Sequence, residues 1–160
     1  MVEEKDQIAM FLESSELFKD LTAEQLAHVV DYCTLEYLHD GDILIKENND
    51  DRSDFFILCE GNLEIVSSNT DVLSEEVVLS KLEKHIFGEL SWLSGKKRTA
   101  TVRCHGEVEA IRINGRALTA YLEQNPDVGY PIMRRVAVLL SERLSGTDIL
   151  LKQILWNLGI

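Results

Sequence analysis

The stretch FGELSWLSGKKRTATV, residues 87–102, places one glutamate, Glu89, and one arginine, Arg98, nine positions apart. Gly88 precedes the glutamate, and a threonine-rich segment typical of a strand follows the arginine. Glycine permits a tight turn or a close approach of the backbone to a ligand. A surface ion pair between Glu89 and Arg98 needs neither feature, whereas a site for a bound anion would use both.

The segment ELSWL within this stretch is long enough for about one helical turn, whose free N–H groups and positive dipole end suit a phosphate. Arg98 can add a bidentate fork to the same phosphate. Glu89 would repel an anion, but it can accept hydrogen bonds from the hydroxyls of an attached sugar. The stretch therefore favours a sugar phosphate as ligand. The alternative is a surface pair between Glu89 and Arg98, which stabilises a fold by a fraction of a kcal/mol.

Length, composition and charge narrow the class of protein. A chain of 160 residues with 45% hydrophobic content predicts one domain with a real core. The net charge of −12 argues against nucleic acid as a partner, so an anionic ligand needs a local positive site. The N-terminus does not resemble a secretory signal, and no run approaches the ~18 apolar residues that span a bilayer. We therefore expect a cytosolic protein that does not enter a membrane.

Cysteine and histidine spacing gives little support to catalysis. Three cysteines occur without a CxxC motif: Cys33, Cys59 and Cys104. We interpret them as reduced thiols, with a redox or metal-binding role as the alternative. The four histidines are far apart in the sequence: His28, His39, His85 and His105. Since no HxH pair is present, a cupin-type metal enzyme is not favoured, and we expect no catalytic residues, no metal and no cofactor.

Hydrophobic periodicity divides the chain into three zones. Residues 1–34 and 115–160 have helical spacing, and residues 35–114 have short strands between turn residues. Thr22, followed by Glu24 and Gln25, is the predicted N-cap of the second helix. The predicted strands are 35–38, 42–47, 54–60, 62–68, 76–82, 98–104 and 107–113. This order predicts an α+β fold, an antiparallel β jelly-roll barrel flanked by N-terminal helices and a long C-terminal helix.

The last helix has apolar residues on two sides. One side is a heptad seam: Met133, Ala137, Leu140, Leu144, Thr147, Leu151, Ile154 and Leu158. The other, expected to face the barrel, is Ile132, Val136, Leu139 and Arg143. The seam indicates either an ordinary core helix or a parallel two-helix homodimer. We place Pro131 in the first turn of this helix and expect a break or hinge at Gly146.

The 87–102 stretch resembles the phosphate-binding cassette of the cyclic-nucleotide-binding domain family. That family includes the bacterial catabolite activator protein, the regulatory subunit of the cAMP-dependent kinase and the cyclic-nucleotide-gated channels. LFKDLTAEQLAHVV, GDILIKENNDDRSDFFILCEGNLEI and LTAYLEQNPDVGYPIMRRVAVLLSERL also resemble the family. The resemblance implies that Glu89 accepts a bond from the ribose 2′-hydroxyl and that Arg98 neutralises the cyclic phosphate. It assigns backbone N–H donors to Gly88, Leu90 and Ser91.

The resemblance does not decide which base the ligand carries or which residue of the closing helix covers it. A hydroxyl at Thr99 often favours cGMP in this family, although Thr99 is also an ordinary residue of a packed strand; cAMP is our default. The family's closing helix swings over the base when ligand binds. Here Thr147 and Arg143 are the candidates for contact with the base.

We therefore expect a cytosolic, non-enzymatic sensor that signals through movement of its C-terminal helix. The helix would form a homodimer, and the effector would be a separate protein or a domain outside this sequence. The alternative is a ligand-free dimerising scaffold of the same fold. Loss of Glu89 or Arg98 would have supported the scaffold, and both residues are present.

Overall fold

The computed structural model describes residues 2–49, 53–66, 77–79 and 86–159. The helices are α1 (Val2–Glu13), α2 (Ala23–Val30), α3 (Glu89–Ser94), α4 (Gly115–Gln124) and α5 (Pro126–Asn157). The strands are β1 (Cys33–Leu38), β2 (Ile43–Ile45), β3 (Phe55–Val66), β4 (Val77–Leu79), β5 (Ile86–Phe87) and β6 (Thr101–Ile113). This order confirms the predicted α+β class, in which helices flank an antiparallel jelly-roll sheet.

The six described strands form one antiparallel sheet with the order β1-β6-β3-β4, and β2 and β5 pair with β6 and β3. The strands predicted at 98–104 and 107–113 join in β6, which begins at Thr101, so residues 98–100 are not in a strand as predicted. The strands predicted at 54–60 and 62–68 are one continuous strand, β3. The reason is that β3 bulges at Gly61 (φ 102°) and continues. Parts of two predicted strands, at 67–68, 76 and 80–82, lie outside the described residues.

Two apolar clusters occupy the interior. The larger joins the helices to the sheet and includes Leu12, Phe18, Phe55, Ile111 and Ile132. The smaller lies within the sheet and includes Ile45, Phe56, Leu63 and Val102. The second cluster has Phe87 packed against it, so the segment that begins the 87–102 stretch is anchored on the sheet.

The start of α2 follows the sequence signal. Thr22 accepts a hydrogen bond from the backbone N–H of Gln25 at 3.2 Å, and the Gln25 side chain accepts one from the Thr22 N–H at 3.0 Å. This reciprocal pair is a capping box and confirms the predicted N-cap at Thr22.

Helix α5 begins earlier than predicted and does not break. Pro126 lies in its first turn, where a backbone N–H would have no partner within the helix, so its absence in proline does not weaken the helix. The backbone carbonyl of Asn125 accepts hydrogen bonds from the N–H groups of Val128 and Gly129. The placement of Pro131 in the first turn is therefore wrong, because this proline lies inside the helix. The break expected at Gly146 is also wrong, since the helix continues to Asn157. Ile132 and Val136 face the core as predicted, whereas residues 141–159 are all exposed.

Candidate functional site

A cavity of about 350 Å³ opens between the sheet, α3 and α5. Its lining includes the six residues predicted for the ligand, Gly88, Glu89, Leu90, Ser91, Arg98 and Thr99, together with Arg143 from α5. The remaining lining residues are apolar: Ile45, Ile65, Ile86, Phe87, Ala100 and Val102. The fold thus brings residues 88–91, residues 98–99 and Arg143, which is 54 positions after Glu89, to a single concave surface.

Gly88 shapes the turn before α3. Its φ is 81°, in the left-handed region, and a Cβ atom built there would lie 2.6 Å from Nη1 of Arg98. Glycine is therefore required both by the backbone and by the guanidinium beside it. The first bond of α3 runs from the Trp92 N–H to the Gly88 carbonyl at 3.2 Å, so the amides of Glu89, Leu90 and Ser91 precede the intrahelical ladder.

Arg98 is buried beside the cavity, with a relative exposure of 5%. Its Nη1 donates to the carbonyl oxygen of Gly88 at 3.0 Å, and its Nη2 donates to the carbonyl oxygen of Asp54. These two bonds connect the guanidinium to the cassette turn and to the start of β3. A buried guanidinium fixed in this way presents a planar set of donors that matches a phosphate.

Glu89 lies at the first position of α3 and is 7% exposed. Its described partner is Arg143, whose Nη1 donates to Oε1 of Glu89 while Nη2 donates to the Ile86 carbonyl at 3.0 Å. The surface pair between Glu89 and Arg98 that the sequence left as an alternative is not among the described contacts. Instead, Arg143 links α5 to the rim of the cavity.

The other predicted residues differ in burial and in whether they line the cavity. Ser91 is buried, Leu90 is 55% exposed at the cavity, and Thr99 is an exposed lining residue. Thr147 donates to the Arg143 carbonyl at 3.0 Å within α5 and is not among the described residues that line the cavity. Arg143, the other candidate from α5, does line it.

Sequence reasoning missed two supports of the site. The first is the Asp54 carbonyl, which no side-chain pattern could have indicated because it is a backbone group. The second is Trp92, whose indole N–H donates to Thr119 Oγ1 at 2.9 Å and to the Gly115 carbonyl at 3.1 Å. The Trp92 ring also stacks on Phe55, with centroids 4.3 Å apart and planes 19° apart. A large aromatic residue inside a short polar loop was the available signal.

The described part of the chain gives little support to metal binding, thiol chemistry or a membrane span. It holds no group of three or more histidine, cysteine or acidic side chains that could bind a metal. Burial raises the pKa of Cys33 and Cys59 to about 12 and that of Cys104 to about 11, so these thiols are poor nucleophiles at neutral pH. Among the described helices, none has the length and apolar character that crossing a membrane requires.

Comparison with known proteins agrees with this geometry. The family model described as "Cyclic nucleotide-binding domain" matches residues 35–125. The chain is 30% identical to a cAMP-dependent protein kinase regulatory subunit from Blastocladiella emersonii over 119 residues, covering 74% of this chain and 29% of that protein. It is 29% identical to human cGMP-dependent protein kinase 2 over 97 residues, covering 61% of this chain and 13% of the kinase. This chain therefore spans less than a third of either relative.

A solved structure has the same fold at lower identity. The catabolite activator protein of Thermus thermophilus superposes with a TM-score of 0.70 at 20% identity. The match covers 88% of this chain and 63% of that protein. Since the match covers most of this chain, the similarity is one of overall fold.

Proposed function

The chain belongs to the cyclic nucleotide-binding domain family, and we propose that its cavity binds a cyclic nucleotide, cAMP in preference to cGMP. The observation that carries the proposal is the buried Arg98 beside a largely apolar cavity of about 350 Å³, a volume in the range of small-ligand sites. Residues 1–160 would together form one sensor domain.

The phosphate is assigned to Arg98 and the turn of α3. A guanidinium forms strong, paired hydrogen bonds with phosphate oxygens, and Arg98 is already oriented by two carbonyl groups. The backbone N–H groups of Gly88, Leu90 and Ser91, which also line the cavity, would supply further donors. Because the chain as a whole is acidic, this local group of donors has to provide the attraction for an anion.

The ribose is assigned to Glu89. Its carboxylate can only accept hydrogen bonds when ionised, which suits a hydroxyl donor such as the ribose 2′-OH. Arg143 occupies Oε1 of this carboxylate, and a hydroxyl would donate to Oε2. The Arg143 contact also offsets the negative charge of Glu89 near the phosphate site.

The base lies toward Thr99 and α5 in this proposal. The relatives include both a cAMP-dependent protein kinase regulatory subunit and a cGMP-dependent protein kinase, so membership in the family leaves the base open. Thr99 lines the cavity and would favour cGMP if its hydroxyl reached the base. We keep cAMP as the expected ligand, with Arg143 as the nearest α5 side chain and Thr147 as a contact that requires α5 to shift.

The output is assigned to α5. A ligand that changes the Arg143–Glu89 contact would bias the position of α5 by its differential affinity for the two positions. The exposed apolar residues of α5, including Leu144, Leu151 and Leu158, favour a homodimer through this helix. The domain would act as a cytosolic, non-catalytic sensor and pass its signal to a separate effector protein or domain.

A ligand-free dimerising scaffold is the second candidate. It is favoured by the exposed seam of α5 and by the partners that Arg98 and Glu89 have within the chain. The two candidates differ in one observable, which is whether the cavity takes up a cyclic nucleotide.

The test is calorimetric titration of the parent protein, Arg98→Lys and the control Arg134→Lys with cAMP. Arg134 is exposed on α5, so its substitution leaves the cavity unchanged. We expect Arg98→Lys to weaken binding by roughly tenfold to a hundredfold, because lysine cannot supply the paired donors. Equal affinity of Arg98→Lys and the parent would sink the phosphate assignment, and no binding by the parent would favour the scaffold.

A further inference from the structure

Helix α3 is too short to hold its own position. It contains six residues, and helices shorter than about 12–15 residues are marginal in water without tertiary contacts. The position of Glu89, Leu90 and Ser91 therefore depends on the side chains that connect α3 to the rest of the fold. Two described connections exist: the Glu89–Arg143 contact with α5, and Trp92.

The Trp92 connection joins α3 to elements away from the cavity. The indole donates to the Gly115 carbonyl and to Thr119 Oγ1, both in α4, and its ring stacks on Phe55 in β3. Gly115 is buried, and a Cβ atom on it would lie 1.7 Å from the Ser53 carbonyl oxygen and 2.5 Å from Cδ1 of Trp92. The absence of a side chain at Gly115 thus makes room for the Ser53 backbone and for the indole.

We propose that Trp92 is a positioning residue of the site, which fastens α3 to α4 through Thr119 and Gly115 and so fixes the cassette before ligand arrives. The connection through Arg143 is made with α5, whereas the indole hydrogen bonds and the ring stack of Trp92 are made with α4 and β3. When the Arg143 contact is lost, these bonds and the stack keep α3 in place. Because the cassette is already ordered in the free protein, the ligand does not have to order it on binding, and the affinity of the site is higher.

This inference rests on the proposed function for its ligand but has a readout of its own. Native-state hydrogen exchange of the ligand-free protein reports the opening of α3 through the amides of Trp92 and Gly95, which bond to Gly88 and Ser91. The amide of Leu26, which makes the first hydrogen bond of α2 with the Thr22 carbonyl, serves as a reference helix start away from α3.

Three variants separate positioning from general stability. Trp92→Phe retains an aromatic ring against Phe55 but removes the indole donor. Thr119→Val removes only the exposed hydroxyl acceptor, and Thr119→Ser restores a hydroxyl. We expect α3 exchange to rise by roughly three- to tenfold in Thr119→Val and more in Trp92→Phe, with Thr119→Ser close to the parent and Leu26 unchanged in Thr119→Val.

Titration with cAMP completes the test. The cAMP affinity should fall in Thr119→Val by the ratio of the closed fractions of α3 that the exchange data give for the two proteins, at most three- to tenfold, and return in Thr119→Ser. Unchanged α3 exchange in both Trp92→Phe and Thr119→Val would overturn the proposal, and so would a loss of cAMP affinity that Thr119→Ser does not restore. If the parent does not bind cAMP, the proposed function fails, and the exchange data alone decide whether Trp92 fixes α3.

Discussion

Gly88 and Arg98 fit together with no space for a side chain between them: a Cβ atom on residue 88 would lie 2.6 Å from Nη1 of Arg98, and the Gly88 carbonyl accepts a bond from that same nitrogen at 3.0 Å. The turn and the guanidinium therefore define each other's position. A change at either residue should alter the phosphate side of the cavity before it alters the sheet.

Gly88→Ala should destabilise the fold and abolish cAMP binding. The left-handed φ of 81° strains any residue with a Cβ atom, and the new methyl group would displace Arg98. We expect a loss of about 1–3 kcal/mol in the free energy of unfolding, measured by urea denaturation.

Gly95→Ala is the matched control for this prediction. Gly95 also has a positive φ, 66°, but a Cβ atom there would meet nothing within 4 Å. The Gly95→Ala variant should lose stability and retain cAMP binding. If Gly88→Ala binds cAMP as well as Gly95→Ala does, the close fit of Gly88 and Arg98 is not what shapes the site.

Much of this arrangement could be predicted from the sequence, and the residues explain why. Local periodicity, turn residues and a contiguous motif encode the helical and strand zones, the Thr22 cap and the cavity-lining residues 88–91 and 98–99. The family comparison confirms the resemblance on which the ligand class rests. The roles of Glu89 and Arg98 toward a ligand remain predictions.

The errors arise where local signals compete or where contacts are long-range. The preference of proline for the first turn predicts a helix start at Pro131, but Pro126 already occupies that turn. Gly146 predicts a break, yet the helix continues through it to Asn157. The Trp92 contact with Thr119 and the Arg143 contact with Glu89 join residues 27 and 54 positions apart, and no spacing rule specifies such pairs.

The Arg143–Glu89 contact should be visible as coupling between the two residues. Arg143→Ala should destabilise the protein because it leaves the buried Glu89 carboxylate without its described partner. In a Glu89→Gln background the same substitution should cost less, with a coupling of about 0.5–1 kcal/mol, since Arg143 is itself 44% exposed. Urea unfolding of the four proteins measures the cycle.

Strict additivity in that cycle would contradict a direct Glu89–Arg143 contact. Arg134→Ala, on the exposed side of α5, is the control and should show no coupling to Glu89→Gln.

The ion pair between Asp20 and Arg135 should give the stability an acid-dependent component. Arg135 donates from Nε and Nη2 to the Asp20 carboxylate at 2.5 and 2.8 Å, and these hydrogen bonds lower the pKa of Asp20. A carboxylate with a lowered folded-state pKa stabilises the fold above its unfolded pKa, near 4, and loses that contribution as the pH falls through the folded pKa.

Asp20→Asn should therefore unfold at a lower temperature than the parent at pH 7, and the difference should shrink as the pH falls below about 4. Thermal unfolding followed by circular dichroism across this pH range provides the measurement. Asp6→Asn, on the exposed face of α1, is the control. A difference that stays constant down to pH 2 would show that the Asp20 charge is not its cause.

The proposed homodimer predicts that substitutions on two sides of α5 differ. Leu151 belongs to the heptad seam, whereas Ile149 lies about 200° around the helix from it, and the two are similarly exposed, at 52% and 57%. Sedimentation velocity should find that Leu151→Glu is monomeric and that Ile149→Glu remains dimeric. Dimers of equal stability in both variants would place the interface elsewhere.

The most direct test of the central claim is the thermal unfolding of the parent protein with cAMP, cGMP and 5′-AMP. A ligand at 100 times its Kd adds about 2.7 kcal/mol of stability, which raises the unfolding temperature of a chain this size by several degrees. The account predicts such a shift with cAMP, a smaller one with cGMP and none with 5′-AMP. No shift with either cyclic nucleotide at millimolar concentration would contradict it.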